Sequence, residues 1–130
     1  MSLGVWEPAK SVAVNREKLN AYLAFIEGLD LESLPAGVPE TVQKGDGALM
    51  KLQATDWQVA EELNDAELEA LIRFYTKAEM SISGWDAGQT SPVIYLVKIL
   101  KKRGSFTAGL KSWIKANTDN RYLPNGAVVL

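Results

Sequence analysis

Apolar residues recur at three- and four-residue spacing along most of this chain, the period at which one face of an α-helix meets a core. Leu19, Tyr22, Leu23 and Ile26 form the first such stripe, with Asn15 as a cap before it and Gly28 as a stop after it. From Leu29 to Gly47 the pattern is broken by Pro35, Gly37, Pro39, Gly45 and Gly47, so this stretch reads as a loop with one short helical piece after Pro39. The stripe resumes at Leu49 and Leu52. Continuing it would bring Asp56 onto the apolar face, whereas Thr55 and Gln58 have the spacing of a capping box, so a break is expected at Thr55. Trp57, Val59, Ala60 and Leu63 make the next piece.

A second capping-box pair, Asn64 and Glu67, predicts a helix to about Met80 with Leu68, Leu71, Ile72 and Tyr75 on its inner face. Ser83 to Thr90 is a loop containing Gly84 and Gly88, and Ser91-Pro92 then supplies a cap followed by proline at the first helical position. The helix predicted over 92–103, ended by Gly104, carries Val93, Tyr95, Leu96, Val97, Ile99 and Leu100 over about half its circumference. An arc that wide suits the most buried helix. A last amphipathic helix, at about 107–117, presents Leu110, Trp113 and Ile114. At the ends, Val12–Val14 and Ala127–Leu130 are short β-branched stretches, the second preceded by the turn residues Pro124-Asn125-Gly126, and they either pair as a ribbon or dock as extended tails.

The fold class expected from this pattern is all-α: a compact bundle of five to six short helices with extended N- and C-terminal tails. It forms one domain over 1–130, with 1–14 loosely structured and 118–130 a C-terminal tail. At 130 residues the chain is long enough to bury roughly two-thirds of its unfolded surface without a metal or cross-link.

Composition narrows the chemistry. There is no Cys and no His, which removes disulfides, thiol nucleophiles, thiolate or imidazole metal sites and His-based triads. No metal and no cofactor is expected, and any enzyme built here must work with carboxylates, Lys, Tyr or Ser. The longest aliphatic and aromatic run, Val93–Val97, ends at Lys98, too short for a membrane span. With no basic segment followed by an apolar stretch at the N-terminus, the cytoplasm is the default compartment.

Charge changes the picture more. Residues 1–90 carry 7 Lys/Arg against 15 Asp/Glu, and residues 91–130 carry 7 against 1. The overall charge of -2 conceals that division, which marks either an interacting surface or two halves that face each other. Lys98, Lys101, Lys102, Lys111 and Lys115, interleaved with Phe106 and Trp113, have the composition of a nucleic-acid-binding face. The two predicted helices around Gly104-Ser105-Phe106 resemble a helix-turn-helix whose second helix would expose Thr107, Lys111, Ser112 and Lys115. The chain departs from that motif at Leu100, where a small residue usually allows close helix approach.

Two polar strings are the other candidates. GWDAGQT at 84–90 does not match a phosphate-binding loop, because three residues separate its glycines, Gln89 stands where Lys is needed and a helix precedes it. It reads instead as a partner-binding loop with Trp85 as anchor and Asp86 and Gln89 as polar contacts, or as a loop whose Trp85 folds back onto the core. Asn117, Asp119, Asn120, Arg121 and Tyr122 form the second string, which either terminates the last helix or joins the 84–90 loop in a partner surface. Asp119 is the single acid after residue 90, and an acid–base enzyme would need Glu79 or Asp86 beside it. Trp6 is the tryptophan expected to be exposed.

The functional expectation is a non-catalytic binding or regulatory module acting through protein–protein contacts, a monomer or weak homo-oligomer. A nucleic-acid-binding domain on the basic helices ranks second and a small carboxylate-based enzyme third.

Overall fold

Four of the five α-helices among the described residues start at a side chain that takes one of the first free backbone N–H groups. In the computed structural model, which describes residues 14–120 and 122–124, the Asn15 side chain accepts from the Lys18 N–H at 2.7 Å and opens α1 (Arg16–Ile26). A short α2 (Glu40–Gly45) follows Pro39. Asn64 and Glu67 close a reciprocal capping box, with bonds of 2.8 and 3.0 Å, at the start of α3 (Asp65–Ser81). Ser91 accepts from the Val93 N–H at 3.1 Å to begin α4 (Pro92–Arg103), and Thr107 accepts from Leu110 at 3.1 Å to begin α5 (Ala108–Ala116). Gly104 ends α4 in the left-handed conformation at φ 72°, which a side chain would strain.

The described residues also contain 3₁₀ segments at Leu31–Ser33, Gly47–Lys51, Ala54–Glu62 and Gly88–Thr90, and no strand. The expected helix break at Thr55 falls elsewhere. Leu52 and Gln53 are extended, and the Gln53 N–H donates to the Asp56 carboxylate at 2.9 Å, so the new segment begins at Ala54. A short, charged Asp reaches back to that N–H, and Thr55 and Gln58 are left exposed. The expected strand-like stretches at 12–14 and 127–130 lie outside the described residues except for Val14, as does Trp6.

Helix α3 packs against both α4 and α1. Tyr22 from α1, Phe74 and Tyr75 from α3, and Trp57 and Trp85 from the connecting segments make a continuous aromatic cluster with ring centroids 5.2–6.4 Å apart, mostly edge to face. Seven of the twelve residues of α4 are buried, including Ile94, while Tyr95 is only half-buried. At ~1.5–3 kcal/mol for each large apolar side chain removed from water, α4 is a principal source of stability. Helix α5 buries Leu110 and Ile114, and the Arg73 guanidinium covers the Trp113 ring at 4.7 Å.

This packing resolves part of the charge division. Arg103 pairs with Asp65 at 2.9 Å, donates to the Glu61 carbonyl at 2.9 Å, and Lys102 lies 3.9 Å from the Glu61 carboxylate. Bonds from Ser105 and Arg103 hold the Asp65 carboxyl below the usual carboxylate range. The basic end of α4 therefore faces the acidic start of α3. Lys98, Lys111 and Lys115 are exposed and have no ion pair among the described residues.

Candidate functional site

The two polar strings meet. A cleft of about 480 Å³ is lined by Glu79 and Met80 from the end of α3, Asp86, Ala87 and Gly88 from the following loop, and Asp119, Asn120 and Tyr122 from the segment after α5. Its centre is Asn120, whose side-chain nitrogen donates to Glu79 Oε1 at 3.2 Å and to the Gly88 carbonyl at 2.9 Å. Asn120 Oδ1 accepts from the Tyr122 N–H at 3.0 Å, fixing the turn that follows. One asparagine thus ties three chain segments together.

Glu79 is only 5% exposed. It lies on the buried face of α3, one turn after Tyr75, and the Ser91 hydroxyl donates to its Oε2 while the same Ser91 oxygen caps α4. Burial pushes the Glu79 carboxyl up to about 7, and the bonds from Ser91 and Asn120 oppose that rise. Nearby Asp86 raises it further, and the Lys51 ammonium lowers it. Lys51 is held there by its bond to the Asp86 carbonyl at 2.9 Å.

Met80, at 47%, is the exposed large apolar side chain among the described residues, and it sits in the wall of this cleft. Its sulfur accepts from the Asp119 N–H at 3.2 Å. The cleft is therefore an acidic depression with a soft, polarizable rim. Glu79, Asp86 and Asp119 line it, and among the described residues no basic side chain does. Among the described residues no three acidic side chains are grouped closely enough to hold a metal ion.

The sequence-derived candidates separate accordingly. Asp86, Asp119, Asn120 and Tyr122 come together in the cleft. Gln89 is exposed on the same loop but outside the lining, and Asn117 is engaged elsewhere, donating to the Trp113 carbonyl at 2.8 Å and accepting from Lys77 at 3.2 Å. Arg121 lies outside the described residues.

Trp85 is not an exposed anchor. It is fully buried, its indole N–H donating to the Gln43 carbonyl at 3.0 Å and its ring lying against Tyr75 and Phe74. Gly84 and Gly88, both at positive φ, turn the loop so that the ring points inward. Gly47 lies close enough that an added Cβ would come within 3.3 Å of the Gly84 carbonyl. The reading in which Trp85 folds back onto the core is the correct one.

Sequence reading placed Glu79 only as a partner for another acid and missed Met80. A signal for Glu79 was present: a carboxylate at the i+4 position from Tyr75, on the apolar stripe.

The five candidate lysines Lys98, Lys101, Lys102, Lys111 and Lys115 are all exposed. Lys111, Ser112 and Lys115 share the outer face of α5, away from Leu110 and Ile114, whereas Thr107 is the cap before the helix and is exposed on the Leu110 side. Among the described residues, no helix is long and apolar enough to cross a membrane.

Comparison with known protein families, characterised proteins and solved structures finds no match. Function is therefore argued from the cleft and the surfaces around it.

Proposed function

We propose that this chain is a non-catalytic, cytoplasmic binding module that acts through protein–protein contacts, and that its partner enters the cleft with a basic side chain. The observation that carries this reading is the convergence of Glu79, Asp86 and Asp119 with the exposed Met80 in one depression. A Lys or Arg side chain combines an apolar stem with a cationic head, matching a soft rim over an acidic floor. Complementary charge of this kind favours orientation and rate of encounter.

Glu79 serves this site as a joint. Both its carboxylate oxygens accept from side chains of other segments, which fixes the geometry that Asp86 and Asp119 present. The near-neutral titration of Glu79 also suits acid–base chemistry, but an enzyme would need a second displaced group free to meet substrate. The exposed Lys98, Lys111 and Lys115 support nucleic-acid binding as a second reading.

The test is fluorescence anisotropy with two labelled hexapeptides, one rich in Lys and Arg and one rich in Glu, and with a short duplex DNA. The basic peptide should bind with an affinity that falls as salt rises, and D86K/D119K should abolish that binding. The pair E17K/E27K, in the first turn of α1 and just after its end, makes the same charge change at exposed positions and should leave most of it. Preference for the acidic peptide or DNA, or equal loss in both double variants, would overturn the reading.

A further inference from the structure

Two consecutive residues of α3 hold the segment after α5. The Met80 sulfur accepts from the Asp119 N–H, and Glu79 Oε1 accepts from the Asn120 side chain. The Asn120 amide cannot turn over without loss, because its nitrogen donates to Glu79 Oε1 and the Gly88 carbonyl while its oxygen accepts from the Tyr122 N–H. Reversed, it would set an oxygen against two oxygens and an NH₂ group against an N–H. The side of Glu79 that faces Asn120 is therefore built for an unprotonated oxygen. At Oε2 the partner is more accommodating. The Ser91 oxygen takes the Val93 N–H with one lone pair and has a second, so it can accept from a protonated Oε2 by turning its own hydrogen away. Ser91 is fully buried, and that hydrogen then loses its acceptor.

A proton on Glu79 thus settles at Oε2, with two effects on the cleft. It removes one of the negative charges that Glu79, Asp86 and Asp119 bring there, and it turns the Asn120 bond from a charge-assisted one into a neutral one of about half the strength. Asp119, beside Asn120, is then held less firmly. The groups around Glu79 set where this happens. Asp86 of the loop opposes its ionisation and Lys51 favours it, while Asp119 and Tyr122 share the cleft lining. Tyr75 lies one turn earlier on α3, and α4 contributes Ser91 but, among the described residues, no charged side chain to the lining. Burial carries the carboxyl to about 7. The chain has neither His nor Cys, the side chains whose ordinary values lie nearest neutrality, so this carboxyl supplies the response there.

We propose that Glu79 makes the acidic cleft proton-gated: with Glu79 ionised the cleft takes the partner's cation, and with Glu79 protonated it binds that cation weakly. With the acidic cleft read as the binding site, on which this proposal rests, linkage requires the reverse effect as well. Entry of the cation expels the proton from Glu79.

The test uses the whole chain and an end-blocked Lys/Arg hexapeptide, whose side chains stay charged throughout, at constant ionic strength between about pH 6 and pH 8. Anisotropy should show wild-type affinity rising about fivefold over that range and levelling off above about pH 7, as a one-unit displacement of the carboxyl by the bound cation gives. E79Q is neutral at every pH and can give its amide to Ser91, so it should bind no better than the wild type does at pH 6 and should lack the rise. Calorimetry of the wild type at pH 7 in phosphate and in Tris, which differ in heat of ionisation, should show release of up to about half a proton per peptide bound. That measurement needs no variant to fold. Equal affinity at both ends of the range, a rise retained in E79Q, or binding without proton release overturns the gate and leaves the cleft as the binding site. No binding at any pH removes the cleft reading and the gate with it.

Discussion

The Ser91 hydroxyl donates to the Glu79 carboxylate while its oxygen accepts from the Val93 N–H, so one serine both caps α4 and holds the end of α3. The Glu79 carboxyl is held at about 7 against an ordinary value of 4.5. Because the folded value is the higher one, protonation stabilises the fold. That contribution is fully present below about 4.5 and is lost as pH rises through about 7. It amounts to at most ~3 kcal/mol, at about 1.4 kcal/mol per unit. Denaturant unfolding of the wild type should show stability falling over this window, and E79Q should remove most of that slope. An E79Q protein with the full slope would place the titration elsewhere.

Ser91→Ala removes the cap and one of the two donors that hold Glu79 ionised. Loss of the cap alone costs roughly 1 kcal/mol. With one stabilising donor gone, the Glu79 titration should move further up, so the pH-dependent fall in stability should extend to higher pH than in the wild type. A pH-independent loss would mean that Ser91 acts on α4 alone.

Asp46 is buried, accepting from the Tyr22 hydroxyl at 2.7 Å and from Lys18 at 3.1 Å. Burial is the main cause that holds the Tyr22 hydroxyl far above its ordinary range, with Tyr75 and Asp46 adding to it. Asp46→Ala leaves a buried hydroxyl unmet and Lys18 without its partner, although Lys18 can turn to water. A loss of about 2–3 kcal/mol is expected in chemical denaturation. A change below ~0.5 kcal/mol would show that this network contributes nothing net.

The Arg103–Asp65 pair decides how much of the charge division is spent internally. Both side chains are partly exposed, so their coupling should be only ~0.5 kcal/mol in a double-mutant cycle of R103Q and D65N, and it should weaken in 1 M salt. A salt-independent coupling above ~2 kcal/mol would contradict this.

Much of the fold was legible in local chemistry. Asn15, the Asn64–Glu67 pair, Ser91-Pro92 and Gly104 act through backbone groups within a few residues, which is why they could be read from spacing. The 54–62 segment was less legible because the Gln53–Asp56 contact and the Thr55–Gln58 spacing offer competing starts two residues apart. The candidate site depends on longer range. Asn120 meets Glu79 and Gly88 across separations of 41 and 32 residues, which no local pattern encodes. The loop and the C-terminal string were nevertheless identified separately, because each is polar where the helical period stops. Trp85 was ambiguous for a physical reason: a Trp between two glycines suits either an exposed anchor or an inward turn, and packing against Phe74 and Tyr75 decides between them.

The most direct test of the central claim is a residue-resolved ¹H–¹⁵N titration with a short peptide containing one central Lys, its ends blocked. Binding through the acidic cleft predicts saturable shifts in the backbone amides of Asp86, Gly88, Asp119 and Asn120 and in the Met80 methyl signal, all reduced in D86K/D119K. Shifts confined to α4 and α5, or none at any of these positions, would contradict it.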